Sequence, residues 1–292
     1  MEVTLLGTGD TTGTPTVGCD CETCAEARDP GDERRRRLRD RGATLTPSGG
    51  VERTRFSIHV RNERTGESLL LDASPDFRYQ FLREGLSAPD AAVLTHIHFD
   101  HLHGLGNVFR LTRDLPVHAA SEADPVSGES VAATVRRQYD YLDALDVRGQ
   151  APLETFVAAG FDVRLVPVDH PPLACYGVVV EDRETGAKLS VSGDTTYDVP
   201  EASREALADP DLLIADGIVH ADFCEHHPRG GQHYADGVAR TFGTKHMTFE
   251  GARALAADLD AGTLRVVHVS HFPPPSEAFG SALAVDGEQF TL

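Results

Sequence analysis

The sequence has few of the residues that mark a secreted or membrane protein. Among its 292 residues there is no tryptophan, and there are two methionines and five cysteines, too few for a disulfide scaffold. No apolar run approaches the roughly 20 residues that a membrane span requires. The first residues, Met1–Gly7, contain no basic leader. We therefore expect a cytoplasmic protein with no membrane partner.

Positive charge is also scarce. The chain has 46 acidic residues against 27 lysines and arginines, which gives a formal charge of −19, and only Lys188 and Lys245 are lysines. A surface this acidic repels polyanions, so we expect nucleic acid to be an unfavourable partner. Salt would screen the self-repulsion, which predicts a halophilic, salt-rich setting. The apolar fraction of 40% is enough for a packed core.

The segment Thr95–His101 is the most informative part of the chain. It follows the apolar run Ala91–Leu94, which is typical of a buried strand. Imidazole suits zinc, manganese or iron, and an added carboxylate suits a hydrolytic metal centre. A solvated histidine-rich loop is the alternative, but the dense spacing favours metal ligation. Four candidate ligands fall in six positions: His96, His98, Asp100 and His101.

Three further candidate ligands also lie in or just after apolar runs. His170 follows Leu165–Val168, Asp194 follows Leu189–Gly193, and His268 lies within Val266–Ser270. Because strand ends on one edge of packed sheets can meet in a cleft, we expect these side chains to converge with the histidine-rich segment. Alternatively, His170 is a surface residue and Asp194 a turn residue after glycine.

A coarse pass along the chain predicts paired strands first and helices interleaved with strands later. This mixture indicates an α/β protein with two sheets and helices packed outside them. Strands are predicted near 3–6, 56–61, 68–72, 91–94, 162–168, 176–181, 187–192, 212–215 and 265–270, and helices near 76–84, 129–143, 200–207 and 249–259.

These motifs resemble the metallo-β-lactamase superfamily. Within it, the chain is most similar to the PhnP-like phosphoribosyl 1,2-cyclic phosphate phosphodiesterases of the phosphonate pathway. The features that carry this resemblance are His-x-His-x-Asp-His at 96–101, Ser-Gly-Asp at 192–194, the cysteine-rich segment 18–24, Lys-His-Met-Thr at 245–248 and His-Val-Ser-His at 268–271. A coenzyme-biosynthesis branch also has a cysteine-rich loop here. The resemblance implies a four-layer αββα sandwich with an N-terminal zinc loop, in a single domain over 1–292, in which residues of about 25–52 are a polar, arginine-rich insertion.

The resemblance also implies three metal ions. One catalytic ion, zinc or manganese, would be held by His96, His98 and His170. The second would be held by Asp100, His101 and His268, and Asp194 would bridge the pair. A structural zinc would be held by Cys19, Cys21, Cys24 and His271 as a closed tetrahedral site. The alternative is a redox trio of cysteines beside an unrelated His271.

Roles in catalysis follow from the same resemblance. Asp100 would orient the nucleophile, and His246 would be the active-site acid; the alternative makes His246 a polar residue flanking a helix. Phosphate contacts are predicted from two regions: Arg53 and Arg55 before a strand, and a histidine-rich loop that is alternatively a solvated surface. The loop candidates are His226, His227, Arg229 and His233.

We therefore predict a dinuclear phosphodiesterase that converts a small, cyclic phosphodiester into a monoester. Its partner would be a small phosphorylated substrate, and a homodimer is left open. Three alternatives remain. One is an RNA 3′-processing endonuclease of the RNase Z type, which would use the arginine cluster at 34–41. The others are a thioester or lactone hydrolase and a non-catalytic metal-binding accessory protein of coenzyme biosynthesis.

Overall fold

Two sheets form the centre of the computed structural model, which describes residues 1–280 and 282–292. The first sheet has seven strands, in the order β16-β1-β2-β3-β4-β5-β6. Its strands are β1 (Glu2–Gly7), β2 (Ser57–Arg61), β3 (Ser68–Leu71), β4 (Ala91–Leu94), β5 (Leu115–Ala120), β6 (Leu145–Gln150) and β16 (Gln289–Thr291).

The second sheet has six strands, in the order β15-β11-β10-β9-β8-β7. These are β7 (Thr155–Ala158), β8 (Phe161–Val168), β9 (Cys175–Asp182), β10 (Lys188–Val191), β11 (Leu212–Asp216) and β15 (Thr263–Val267). A small antiparallel sheet beside it contains β12 (Gly231–His233), β13 (Ala239–Phe242) and β14 (His246–Met247).

The helices connect these strands. They are α1 (Glu22–Arg28), α2 (Gly31–Asp40), α3 (Phe77–Arg83), α4 (Phe99–Leu102), α5 (Val131–Gln138), α6 (Glu201–Leu207), α7 (Phe223–His226), α8 (Phe249–Asp258) and α9 (Pro275–Ala278), with a 3₁₀ helix at His103–Val108. Side-chain hydrogen bonds cap the first turns of α5 and α8. The Ser130 hydroxyl accepts from the Ala133 amide at the start of α5, and Thr248 does the same for Gly251 at the start of α8.

The layers follow from which face of each strand is buried. Ile58 and Leu71 of the first sheet share one core with Val178 and Ile214 of the second. The opposite face of the second sheet packs against α6 and α8, since Leu213 clusters with Leu207, Phe249 and Leu255. On the first sheet, α3 and α5 join the core through Phe77, Phe81, Val131 and Val135. The predicted αββα architecture is confirmed.

Parallel pairing brings several strand ends to one edge. β10, β11 and β15 are mutually parallel, as are β3, β4 and β5. β8 runs in the direction of β10 because each pairs antiparallel with β9. The carboxyl ends of β8, β10, β11 and β15 therefore lie on a common side, which is where open α/β sheets bind ligands.

The structure contains several elements that the sequence did not predict, among them β5, β7, β16 and the small sheet β12–β14. The helix predicted near 129–143 ends at Gln138, and the polar segment Leu145–Gln150 forms an edge strand that hydrophobic patterning does not indicate. The arginine-rich segment contains a helix, α2, whose one fully buried residue is Leu38. No helix among the described residues is long and apolar enough to cross a membrane.

Candidate metal centre and cleft

The seven candidate ligands of the catalytic centre converge at this edge. His96 and His98 follow β4, and Asp100 and His101 lie in the short helix α4. The other three follow the carboxyl ends of β8, β10 and β15: His170, Asp194 and His268. Their ligand atoms form two groups, each with all atoms within 4.8 Å of one another, and Asp194 and His268 also belong to a third such group with Asp216 and His246. The structure thus brings together the residues that the sequence placed far apart.

The first group contains His96, His98, His170 and Asp194. The Nε2 atom of His96 lies 2.8 Å from Nδ1 of His98, and that Nδ1 lies 3.3 Å from Nε2 of His170. Oδ2 of Asp194 is 3.8 Å from Nε2 of His96. Ligands about 2.0–2.1 Å from a tetrahedral zinc ion are roughly 3.3 Å apart, so these separations fit a single cation.

The second group contains Asp100, His101 and His268. Nε2 of His101 and Nε2 of His268 each lie 3.3 Å from Oδ2 of Asp194. The same two nitrogens lie 3.8 Å and 3.7 Å from Oδ2 of Asp100. Asp194 therefore contacts both groups through one oxygen, as a bridging carboxylate would.

Electrostatics prepare the first group to bind a cation. Burial lowers the pKa of His96 well below its usual value and lowers the pKa of His170 to about 3. Both imidazoles are thus neutral near pH 7, and neutral imidazole is the form that donates a lone pair to a metal.

The second group shows the opposite shift. Burial would lower the pKa of His268, but the carboxylates of Asp194, Asp100 and Asp216 raise it to about 9. Burial would likewise raise the pKa of Asp194, but the facing His268 and His101 hold it well below its usual value. These carboxylates therefore demand positive charge at the centre of the group, which is what a divalent cation provides.

Unsatisfied nitrogens provide an independent test of this fit. Within the described residues, Nε2 of His101 and both ring nitrogens of His268 are buried without a hydrogen-bond partner. Buried polar atoms are normally paired, so orphan nitrogens that face carboxylates need an explanation. A metal ion ligated by Nε2 of both rings would satisfy two of these three atoms, and Nδ1 of His268 lies 3.9 Å from Oδ1 of Asp216. The donor set of imidazole and carboxylate suits zinc or manganese.

A second layer of contacts orients the ligands. Nδ1 of His101 lies 2.6 Å from Oδ2 of Asp72, and Asp72 also accepts from the amide and hydroxyl of Thr95. Nδ1 of His170 lies 2.8 Å from the carbonyl oxygen of Lys245. Such contacts fix the ring orientation and tautomer of metal-binding histidines. Sequence analysis did not assign Asp72 a role; its position directly after a buried strand is the signal that could have found it.

The backbone at His268 is unusual. Its φ angle is 60°, in the left-handed region, directly after β15. Non-glycine residues adopt this region at a cost and often at functional sites. The neighbouring Val269 is held from both sides, because its amide donates to Thr8 and its carbonyl accepts from Asp10. This geometry turns the His268 ring toward Asp100 and Asp194.

The cysteine-rich loop forms a separate group. Cys19, Cys21, Cys24 and His271 lie together, with Nδ1 of His271 3.5 Å from Sγ of Cys19 and 3.4 Å from Sγ of Cys21. These separations match ligands of one tetrahedral zinc ion. Burial and the neighbouring thiols raise the pKa of Cys24 to about 11, so a cation is required for three thiolates to coexist near pH 7. The four residues therefore fit a structural zinc.

His246 lies beside the catalytic groups. It forms β14, and its Nδ1 lies 3.2 Å from Oδ2 of Asp216 at the end of β11. Its ring stacks on His268 with centroids 4.8 Å apart. Glycine at position 251 lets α8 pack closely on the small sheet that contains His246, because a Cβ there would lie 2.1 Å from the carbonyl oxygen of Arg240 in β13. Asp216 was also not assigned a role from the sequence, although it too ends a buried strand.

An open cleft of about 400 Å³ lies above the catalytic groups. His98, Asp100, Asp194, His246 and His268 line its floor. Its walls contain two kinds of side chain. The polar and cationic ones are Asp10, Thr11, Thr12, His227, Arg229, Lys245 and His271, and the apolar ones are Phe99, Ile218, Phe242 and Phe272.

Some of the residues predicted to contact phosphate line this cleft, and others do not. His227 and Arg229 line the cleft, whereas His226 lines a neighbouring groove with His220 and Phe223. His233 is exposed on β12 and does not line the cleft. Arg55 also lies outside it, because its guanidinium contacts Asp76 at 3.0 Å and the Thr11 carbonyl.

Arg53 does not lie where the sequence analysis expected it. Its side chain is 1% exposed, donates to the backbone carbonyls of Ala278 and Ala284, and lies over the Phe279 ring. The structure therefore places Arg53 in the core beneath the C-terminal segment, contrary to the expectation that it contacts a substrate.

Comparison with known families agrees with this centre. The family model described as Beta-lactamase superfamily domain matches residues 67–269, a range that contains all seven catalytic ligand candidates. The chain belongs to this superfamily. As a superfamily member it has the fold that the motifs predicted, with candidate metal-binding groups at the expected strand ends.

The chain is similar to three named proteins. A crystal structure of a new diphosphatase from the PhnP family has 26% identity and a TM-score of 0.72, covering 100% of this chain and 97% of that one. Zn²⁺-bound PqqB from Methylobacterium extorquens has 24% identity and a TM-score of 0.73 with full coverage of both chains, which shows a shared fold. A Porphyromonas gingivalis protein named octanoyltransferase is 38% identical over 277 residues, 94% of this chain; the chain spans 47% of that relative's length.

Proposed function

We propose that this chain is a dinuclear metal-dependent phosphodiesterase that hydrolyses a small, cyclic phosphodiester to a phosphomonoester. The observation that carries the proposal is the pair of ligand groups at the floor of an open cleft, with Oδ2 of Asp194 3.8 Å from His96 of one group and 3.3 Å from His101 and His268 of the other. Two divalent cations held there, zinc or manganese, would supply Lewis acidity and lower the pKa of coordinated water toward neutrality. His96, His98 and His170 would hold one, and Asp100, His101 and His268 the other.

The chain's own residues supply the remaining chemistry. Arg229 and Lys245 line the cleft, and within the described residues neither side chain has a hydrogen bond or ion pair. Lys245 is one of only two lysines in a chain of charge −19. Two unpaired cations in a cleft of so acidic a protein favour an anionic substrate, such as a phosphodiester.

His246 would donate the proton to the leaving group. The Nδ1 atom of His246 faces Asp216, which leaves Nε2 as the ring nitrogen available to the cleft. From Nε2 a proton would pass to the departing alkoxide as the P–O bond breaks, while Asp100 would accept a hydrogen bond from the attacking water. The similarity to a diphosphatase of the PhnP family supports phosphoryl chemistry at this centre.

The test is elemental analysis of the purified chain combined with turnover assays. We expect about three metal ions per chain and hydrolysis of bis-p-nitrophenyl phosphate and 2′,3′-cyclic nucleotides. Asp194→Asn should lower the count of catalytic ions and abolish turnover, whereas Asp222→Asn, outside the cleft lining, should change neither. A chain that holds its metals but leaves every phosphodiester intact would refute the proposal.

A second candidate is hydrolysis of a thioester or lactone. It is favoured by the identity of 38% with the protein named octanoyltransferase and by the apolar wall of the cleft. The same metal centre could polarise a carbonyl oxygen. Acyl thioesters and lactones in the same panel separate the two candidates, since a thioesterase would turn them over in preference to phosphodiesters. The RNA-processing alternative predicts binding of structured RNA with a steep dependence on salt.

A further inference from the structure

The apolar wall of the cleft consists of side chains that the proposed chemistry does not use. Phe99 and Phe272 both line the cleft and are 46% and 48% exposed. Ile218 and the buried Phe242 complete this wall. Large aromatic side chains are usually more buried than this, and an exposed apolar surface inside a concave site is typical of ligand recognition.

Contacts within the protein hold Phe272 in the wall without a ligand. Phe272 stacks on Phe223 with centroids 5.0 Å apart and an interplanar angle of 21°. Phe223 stacks in turn on His227, at 5.2 Å and 26°. On the other side of Phe272, the Pro273 carbonyl accepts from the Thr23 hydroxyl of α1. A ring held in this way loses little conformational freedom when a ligand packs against it.

Phe99 lies between two of the candidate metal ligands. It is the first residue of α4 and lies between His98 and Asp100, one candidate ligand from each catalytic group. Its exposed ring lines the same cleft as His98, Asp100 and Asp194. The cationic residues Arg229 and Lys245 belong to the same cleft, so a single small molecule can contact both kinds of wall.

We infer that the substrate is amphiphilic: the carbon skeleton of its phosphodiester carries an apolar alkyl or aryl group that packs against Phe99 and Phe272. A hydroxyl-rich sugar at this place would leave the two rings in contact with polar groups and would gain little from them. The inference rests on the proposed function, because the phosphodiester at the metal centre determines which part of the substrate reaches the wall.

A series of substrates with one leaving group tests this directly. We would measure kcat/KM for p-nitrophenyl phosphodiesters whose second ester is methyl, butyl, octyl, phenyl or glyceryl. Burying one methylene is worth up to about fourfold in affinity, so the three additional methylenes of the butyl ester are worth up to about 60-fold over the methyl ester. With partial burial on an open wall we expect a ratio of about tenfold. The glyceryl ester, of similar length to the butyl ester, should resemble the methyl ester.

Substitutions of the two phenylalanines test whether they cause the preference for the butyl ester. Phe99→Ser and Phe272→Ser should each reduce the butyl-to-methyl ratio to about threefold or less, and Phe99→Leu should largely restore it. The ratio is read within each variant, so a general loss of activity does not alter the conclusion. Phe109→Ser is the matched control, because Phe109 is 57% exposed but lies outside the cleft lining. Zinc analysis of Phe272→Ser checks that the adjacent His271 still binds metal.

Binding of alkylphosphonates separates failure of this inference from failure of the proposed function. Methyl-, butyl- and octylphosphonate are measured by calorimetry on the metal-loaded protein, which requires no turnover. Affinity that rises with chain length supports the apolar subsite even if no phosphodiester is cleaved. A butyl-to-methyl ratio below about twofold in both turnover and binding would overturn the inference while leaving phosphodiester hydrolysis intact.

Discussion

At the scale of single residues, the carboxylates that orient the centre are as informative as its ligands. Asp72 holds His101 and Thr95, and Asp216 holds His246 while accepting from the Met247 and Thr195 amides. Each follows or ends a buried strand of a parallel pair. A carboxylate that contacts a ligand instead of the metal fixes the geometry on which affinity and turnover depend.

The role of His246 gives a residue-scale prediction. His246→Ala should leave the metal content unchanged, since neither predicted catalytic ion depends on this ring, and should lower phosphodiesterase turnover by on the order of 10²-fold or more, the scale of losing a general acid. Turnover and elemental analysis are measured on the same sample. His233→Ala is the control, as His233 is exposed and outside the cleft. Unchanged turnover would remove His246 from the mechanism.

At the scale of elements, the cysteine group ties the N-terminal loop to the segment after β15. Cys21 caps α1, and His271 is three residues beyond the candidate ligand His268. One ion at this group would thus join two segments that also line the cleft, through Thr11, Thr12 and Phe272. Closed four-ligand zinc sites contribute to folding and leave no open position for chemistry.

Cys21→Ser should therefore reduce stability more than catalysis. We expect a loss of roughly 3 kcal/mol or more in the free energy of unfolding, in the upper range for single substitutions that remove a structural metal ligand. Urea unfolding and zinc analysis provide the measurement. Cys224→Ala, in the small cluster with Val219 and Phe242, should retain the full zinc count. Undiminished stability with one ion fewer would contradict the structural role.

An ion-paired histidine joins two helices. Nδ1 of His220 lies 3.0 Å from Glu250 at the start of α8, and Nε2 lies 2.9 Å from Glu277 in α9. The hydrogen bond to Glu250 raises the pKa of His220, and the charge of Glu277 adds to this against partial burial. The charged ring is thus favoured in the folded state.

This raised pKa predicts a pH-dependent stability. The contribution of charged His220 is fully present below its unfolded pKa of about 6.5 and is lost as pH rises through the higher folded pKa. His220→Gln should consequently destabilise the protein more at pH 6 than at pH 9.5. Urea midpoints at both values test this, with His233→Gln as the exposed control. An equal effect at both pH values would contradict the ion-pair explanation.

At the scale of the whole molecule, charge should dominate the response to salt. With a net charge of −19, self-repulsion opposes the compact state, and screening relieves it. We expect the melting temperature to rise by several degrees between about 0.1 and 1 M KCl, equivalent to roughly 1–2 kcal/mol at this chain length. An equimolar comparison with NaCl should give a similar rise if screening is the cause. A flat or falling melting curve would argue against a halophilic setting.

Much of this molecule could be read from its sequence, and the parts that could not have physical reasons. His96 and His98 lie two positions apart in the chain, so their pairing as metal ligands could be predicted, and four apolar residues marked the strand before them. Arg53 was misplaced because an arginine before a strand gives no sign that backbone carbonyls 225 residues or more away will bury it. Nothing in the sequence singles out Phe99, which lies between two candidate ligands. Phe272 looks like any apolar residue in the sequence, and only its stacking on Phe223 in the fold places it at the cleft.

The left-handed backbone at His268 has a consequence for what evolution can place there. Glycine, asparagine and aspartate tolerate a φ of 60°, whereas β-branched residues do not. Of the tolerated residues, aspartate is the one that retains a charged metal-binding oxygen. The backbone angle and the need for a metal ligand thus exclude different substitutions at position 268. Few residues satisfy both requirements. The residue at position 268 should therefore change slowly in evolution, for two unrelated reasons. A library of variants at this position that is selected only for folding should recover a different set of residues from one that is selected for turnover.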